Sequence, residues 1–158
     1  MAKRILLLMS MIVAAMPACP DAADAIVDEA RQSLGIRYGY GKSGARATDC
    51  AALARKAAAA GGVELPRTTR EQYRVGEPVP REELAPGDLV FFRNTYRVGI
   101  SHVGIYIGEG KFVHAASRQR SVVINELDEP YFAKRFAGGR RIVEREPEEI
   151  PLEKCAVP

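Results

Sequence analysis

Thr48-Asp49-Cys50-Ala51-Ala52-Leu53-Ala54-Arg55-Lys56-Ala57 is the stretch on which the reading of the fold turns. Thr48 or Asp49 offers an N-cap and Gly61-Gly62 a stop, so a helix is expected over 49–60. Its small side chains allow close approach on several faces. It is therefore expected to pack tightly on a sheet, with Arg55 and Lys56 turned to water. The helix opens on a cysteine. A thiol is a nucleophile only as the thiolate, and the unpaired N–H groups and dipole of a helix N-terminus favour that charge. By position alone, an inert buried cysteine competes with this reading.

Working outward, Ala22, Ala25, Ile26, Ala30 and Leu34 fall mainly at helical spacing before Gly35, which predicts a helix over 21–34. Residues 35–44, punctuated by glycine and tyrosine, read as an ordered loop. Thr68 and Glu71 have capping-box spacing for a short helix through Arg74. After Leu84-Ala85-Pro86-Gly87 the character changes, and strands are expected over 88–92, 101–107, 111–116, 121–125 and 140–144. A short helix over 128–136, with Pro130 in its first turn, interrupts them. Helices first and strands afterwards argue for an α+β domain with an antiparallel sheet. At 158 residues and 47% hydrophobic content the chain fits one such domain.

The chain has two histidines, His102 and His114. In Ser101-His102-Val103-Gly104-Ile105-Tyr106-Ile107 the alternation puts Val103, Ile105 and Ile107 on one face and His102 on the other. Gly108-Glu109-Gly110 then turns the chain, and Phe112, His114 and Ala116 share a face of the returning strand. An odd number of residues in the turn brings the two imidazoles to one face; an even number separates them. Cys50, His102 and His114 then read as nucleophile, base and orienting group. The same three could form a zinc site, but close-spaced ligands and an evident fourth ligand are missing, so no metal is expected.

The first 18 residues have the pattern of a secretory signal. Lys3 and Arg4 are followed by an uncharged run over 5–15 and then by small residues with Pro17. This uncharged run of eleven residues is too short for a spanning helix, which needs about 20. Met16-Pro17-Ala18-Cys19 is similar to a lipoprotein cleavage box, which makes Cys19 a candidate for acylation and membrane attachment. Without the leader, 21 basic residues face 20 acidic ones. This balance gives no reason to expect a nucleic-acid partner. The three cysteines are an odd count for an exported chain, so either Cys19 bridges Cys155 and leaves Cys50 alone, or Cys155 is a tail thiol. The domain is expected over 21–144, followed by a polar, proline-broken tail over 145–158.

Several blocks carry a more specific signal. Tyr38-Gly39-Tyr40-Gly41, Thr48-Asp49-Cys50, Leu65-Pro66-Arg67-Thr68-Thr69-Arg70-Glu71-Gln72-Tyr73, Pro86-Gly87-Asp88-Leu89-Val90-Phe91-Phe92, Ser101 to Gly108 and Phe112-Val113-His114-Ala115 closely resemble the NlpC-type cell-wall cysteine peptidases. These are papain-like, CHAP-related murein endopeptidases, and the blocks follow in order over 26–142. The resemblance implies helices packed on a central antiparallel sheet and no cofactor. It makes Cys50 the nucleophile, His102 the base and later the acid, and His114 the group that orients His102. The Cys50 N–H and the Tyr38 hydroxyl would meet the oxyanion, and Asp49 would help to hold the substrate. The implied substrate is a peptidoglycan stem peptide cut after D-glutamate, in the periplasm or cell envelope, by a soluble or outer-membrane-anchored protein. Among nearby cations, Arg37, Lys42, Arg46 and Arg67 are candidates for a carboxylate-rich substrate.

The chain departs from the family at Ala51 and Ala52, where members have serine and glycine. That change removes a hydroxyl beside Asp49 and adds a methyl expected to tighten helix packing, leaving the nucleophile untouched. A silent peptidoglycan-binding domain and an acyltransferase on the same scaffold are the alternatives to a hydrolase.

Overall fold

The computed structural model describes residues 21–144. The leader, Cys19, the tail over 145–158 and Cys155 lie outside the described residues. Two helices come first, α1 (Ala22–Gln32) and α2 (Cys50–Ala60). Between them run two short strands, β1 (Arg37–Tyr38) and β2 (Ala47–Thr48). A third helix, α3 (Thr69–Gln72), has the expected capping box between Thr68 and Glu71. The remaining strands are β3 (Glu77–Val79), β4 (Leu89–Arg93), β5 (Ile100–Gly108), β6 (Lys111–Ala116), β7 (Ser121–Glu126) and β8 (Phe136–Arg141). Helix α4 (Pro130–Ala133) precedes the last of them, with Pro130 in its first turn.

The eight strands form one sheet in the order β2-β1-β7-β6-β5-β4-β8-β3. All pairings are antiparallel except β1 with β2. Both faces are covered. On one, Leu89, Phe91, Val103, Ile105 and Val113 pack with Ile26 of α1 and Leu53, Ala54 and Ala57 of α2. On the other, Val90, Phe92, Phe112, Leu127 and Phe132 form a second core. Each of the buried Val, Leu, Ile and Phe side chains contributes about 1.5–3 kcal/mol relative to exposure. The face opposite Val103 and Ile105 is thus apolar too, and the histidines sit within it.

Two expectations for the strands are corrected, and one further strand was not expected. The loop over 35–44 contains β1, because Arg37 pairs with both Ala47 and Ser121. Edge strand β3 went unread because it contains Pro78, which an edge tolerates. The last strand runs over Phe136–Arg141 and not 140–144. Gly138-Gly139 reads as a break, but it is where neighbouring groups approach closely. A Cβ on Gly139 would lie 2.6 Å from the Leu84 side chain and 3.0 Å from the Val79 carbonyl.

The β5–β6 hairpin resolves the parity question differently from either alternative. Gly108 pairs with Lys111, so only Glu109 and Gly110 lie between the paired residues, both at positive φ. That even turn would put the imidazoles on opposite faces. A bulge between Tyr106 and Gly108 shifts the register by one, pairing Tyr106 with Phe112 and Ile105 with Val113. The bulge returns His102 and His114 to a common face.

Candidate active site

Cys50 is the first residue of α2, and Asp49 is its cap: Asp49 Oδ1 accepts the Ala52 N–H at 2.8 Å. The same carboxylate accepts from the Gly41 N–H at 3.0 Å and from both terminal nitrogens of Arg67, at 3.2 and 2.5 Å. Four donors thus occupy roughly the four acceptor positions a carboxylate has. Of the four candidate cations, Arg67 lines the cleft and is already paired.

Cys50 is 5% exposed. Burial pushes its pKa up, Asp49 adds to that, and three donors oppose it: the Thr69 hydroxyl and the backbone N–H groups of Val103 and Ala51. The Thr69 Oγ1 lies 3.8 Å from Sγ. That contact is the sulfur's side-chain hydrogen bond; the imidazole of His102 is bonded elsewhere. The Val103 contact ties the sulfur to β5 directly beside His102. Helix α3 is locked under α2 by Gln72, whose Nε2 donates to the Ala51 and Pro66 carbonyls, both at 2.9 Å.

His102 and His114 are 9% and 3% exposed. The pairing of Ile105 with Val113 carries Gly104 opposite His114, with His102 on the diagonal. Gly104 has no room for a side chain, since a Cβ would fall 2.6 Å from the Phe112 ring and 3.3 Å from His114 Cβ. His102 Nε2 and His114 Nδ1 are 2.7 Å apart. His114 Nε2 lies 2.8 Å from Asn125 Oδ1, and Asn125 Nδ2 donates to Glu129 Oε1 at 2.7 Å.

The direction of every proton in this chain follows from its far end. Glu129 accepts, which fixes the Asn125 amide with its nitrogen toward the carboxylate and its oxygen toward His114. His114 Nε2 must then donate, so its Nδ1 accepts, and His102 Nε2 is the donor to it. What remains on His102 is an unprotonated Nδ1. Both nitrogens of His114 are engaged, leaving that ring no lone pair for a metal. Burial lowers the pKa of both imidazoles, that of His102 to about 3 with His114 adding to the effect. Both rings are neutral at pH 7. The rings of Phe92, Phe112 and Phe132 surround them.

Tyr38 and Tyr96 line both halves of a cleft, one holding Cys50, Asp49 and Arg67, the other His102 and His114. Burial and the neighbouring Cys50 raise the Tyr38 pKa to about 12, so its phenol stays a protonated donor. Ala51 lines the cysteine half. Ala52 is buried at the start of α2, with its edge on an outer hollow bordered by Arg55, Lys56 and Gly62. Lys56 pairs with Glu29, and Arg55 donates to the Leu65 carbonyl. Sequence reasoning missed Thr69, Tyr96, Asn125 and Glu129. Thr69 lies within a resembling block and Asn125 ends the strand expected over 121–125, but the sequence assigns neither a role.

The NlpC/P60 family profile matches residues 35–141, a span that runs from β1 through β8 and contains every residue of the site. The chain belongs to the NlpC/P60 family. It is 41% identical over 131 residues to the γ-DL-glutamyl hydrolase of Bacillus subtilis (strain 168), covering 82% of this chain and 31% of that protein. It is also 41% identical over 128 residues to the murein DD-endopeptidase MepS/murein LD-carboxypeptidase of Escherichia coli (strain K12), covering 79% and 65%. This NlpC/P60 chain therefore spans between 31% and 65% of these relatives' lengths. Its structure is similar to the crystal structure of an NlpC/P60 family protein from Bacillus cereus, with a TM-score of 0.73 and 31% identity, covering 80% of this chain and 42% of that one.

Proposed function

We propose that this NlpC/P60 chain is a cysteine peptidase that hydrolyses an amide bond of peptidoglycan stem peptides through a thioester. One observation carries the reading: the hydrogen-bond chain from Glu129 through Asn125 and His114 leaves His102 a bare Nδ1, one residue from the backbone N–H that meets Cys50. Sγ attacks the carbonyl carbon while its proton passes to His102 Nδ1. The imidazolium that forms is held by His114 and then protonates the departing nitrogen as the C–N bond breaks. Water, giving its proton to the same Nδ1, cleaves the thioester and regenerates the thiol. The Cys50 N–H, which as the first residue of α2 has no intrahelical acceptor, and the Tyr38 hydroxyl serve the oxyanion.

Asp49 is read as a positioning residue, since its oxygens already hold the loop, the helix start and Arg67 together. The bond after D-glutamate is the assignment best supported, because the Bacillus subtilis relative is named for glutamyl hydrolysis. Residues 21–144 form the catalytic domain. The protein is exported to the cell envelope by residues 1–18, either as a soluble protein or anchored through an acylated Cys19. Incubation with disaccharide tetrapeptide, followed by mass spectrometry, should give split fragments from wild type and none from Cys50→Ala. Binding that survives Cys50→Ala with no fragments from wild type would identify a silent binding domain. The intact mass of the mature protein tests the cut site and the lipid.

A further inference from the structure

The histidine half of the cleft is a cavity of about 280 Å3. In amide hydrolysis the departing amine takes its proton from the imidazole, so the residue that leaves occupies this half. Two guanidinium groups border it. Arg118 and Arg135 both stack on the Tyr131 ring, 5.5 and 4.1 Å from its centroid. Arg135 is fixed further, donating to the Asn94 carbonyl at 3.2 Å and to the Tyr131 carbonyl at 3.1 Å. Those bonds use Nε and Nη1 and leave Nη2. No ion pair among the described residues involves either arginine. In the other half Arg67 is matched to Asp49, and a single guanidinium unmatched among the described residues, that of Arg97, stacks on Tyr96. Two cations on one ring without a counter-charge repel each other, and an anion entering the cavity relieves that repulsion.

We infer that the histidine half is a subsite for a carboxylate on the residue whose amine is released, held by Arg118 and Arg135 beside Tyr131. The inference rests on the hydrolase reading for its orientation, and on the two unmatched guanidinium groups for its chemistry. Charge-assisted bonds from guanidinium to carboxylate are roughly twice as strong as neutral ones. Peptides whose released residue keeps a free carboxylate are therefore the preferred substrates.

The test uses the full chain with L-alanyl-γ-D-glutamyl peptides ending in L-lysine, in L-lysine amide, or in meso-diaminopimelate with the α-carboxyl amidated. The free acid should be cut about 10–100-fold faster in kcat/KM than the lysine amide, mainly through KM. The third peptide tells whether an α- or a side-chain carboxylate is read. Arg118 makes no hydrogen bond among the described residues, so Arg118→Gln should fold, and it should bring the acid-to-amide ratio close to 1. Equal cleavage of acid and amide by wild type, or a ratio unchanged in Arg118→Gln, overturns the inference. Should wild type cut none of these peptides, the hydrolase reading falls only if the disaccharide tetrapeptide is uncut as well, and calorimetry decides the subsite. Tighter binding of meso-diaminopimelic acid than of its bis-amide, lost in Arg118→Gln, sustains it, and equal or undetectable binding of both overturns it.

Discussion

The two walls of the cleft are held by opposite means. The cysteine wall is charged: Asp49 and Arg67 form a bidentate pair that also pins the loop at Gly41 and the start of α2. The histidine wall is built on a neutral relay set among phenyl rings, with the relay's one charge at its far end, on Glu129, and the guanidinium groups of Arg118 and Arg135 at the rim. On the first wall the carboxylate nearest the sulfur is matched by a guanidinium. On the second, burial holds both imidazoles neutral. Burial likewise holds the sulfur as a thiol. In the mechanism proposed above, the nucleophile is consequently activated during attack, when the proton crosses from one wall to the other, and not as a resting ion pair. The donors from Thr69, Val103 and Ala51 already face the sulfur and become stronger as negative charge develops.

Breaking either wall at its reacting atom should have the largest effect. Cys50→Ala and His102→Ala should each lower kcat/KM by about 10³-fold or more, measured on disaccharide tetrapeptide. One step further along the relay, His114→Ala should cost about 10²-fold, because His102 loses its acceptor but keeps a basic nitrogen. Asn125→Leu should cost about tenfold, since nothing then sets which nitrogen of His114 carries the proton. Equal losses for His114→Ala and Asn125→Leu would mean that the relay acts as one unit.

The charged wall should answer in stability. Asp49→Ala removes a helix cap and leaves Arg67 unmatched, at a cost of about 1–3 kcal/mol by urea denaturation. The histidine wall sets a pH dependence. Folding lowers both imidazole pKa values, so between pH 6.5 and the folded values the unfolded chain binds more protons. Stability is therefore full above pH 6.5 and falls on acidification, by up to about 1.4 kcal/mol per pH unit for each histidine. Denaturation midpoints at pH 7 and pH 5 check this, and His114→Phe should flatten the dependence.

Much of this arrangement could be read from residue order. Asp49-Cys50 before an alanine helix and the alternation around His102 place the groups to which the proposal assigns the reaction, since caps and strand periodicity are local properties. The common face of His102 and His114 was not decidable, because a two-residue turn argues against it and the bulge at Ile107 depends on packing of the whole sheet. Asn125 and Glu129 join the site only through the register of β6 with β7 and the turn into α4. The short pair β1 and β2 has too few residues to show a period. Arg118 and Arg135 are 17 residues apart, and only Tyr131 brings them together.

With two histidines in the chain, nitrogen-15 NMR of the imidazole rings at pH 7 tests the central claim most directly. A neutral His102 carrying its proton on Nε2, with Nδ1 bare, and a neutral His114 of the same tautomer are the predicted result. A doubly protonated His102 at that pH, or a proton on its Nδ1, would contradict the account.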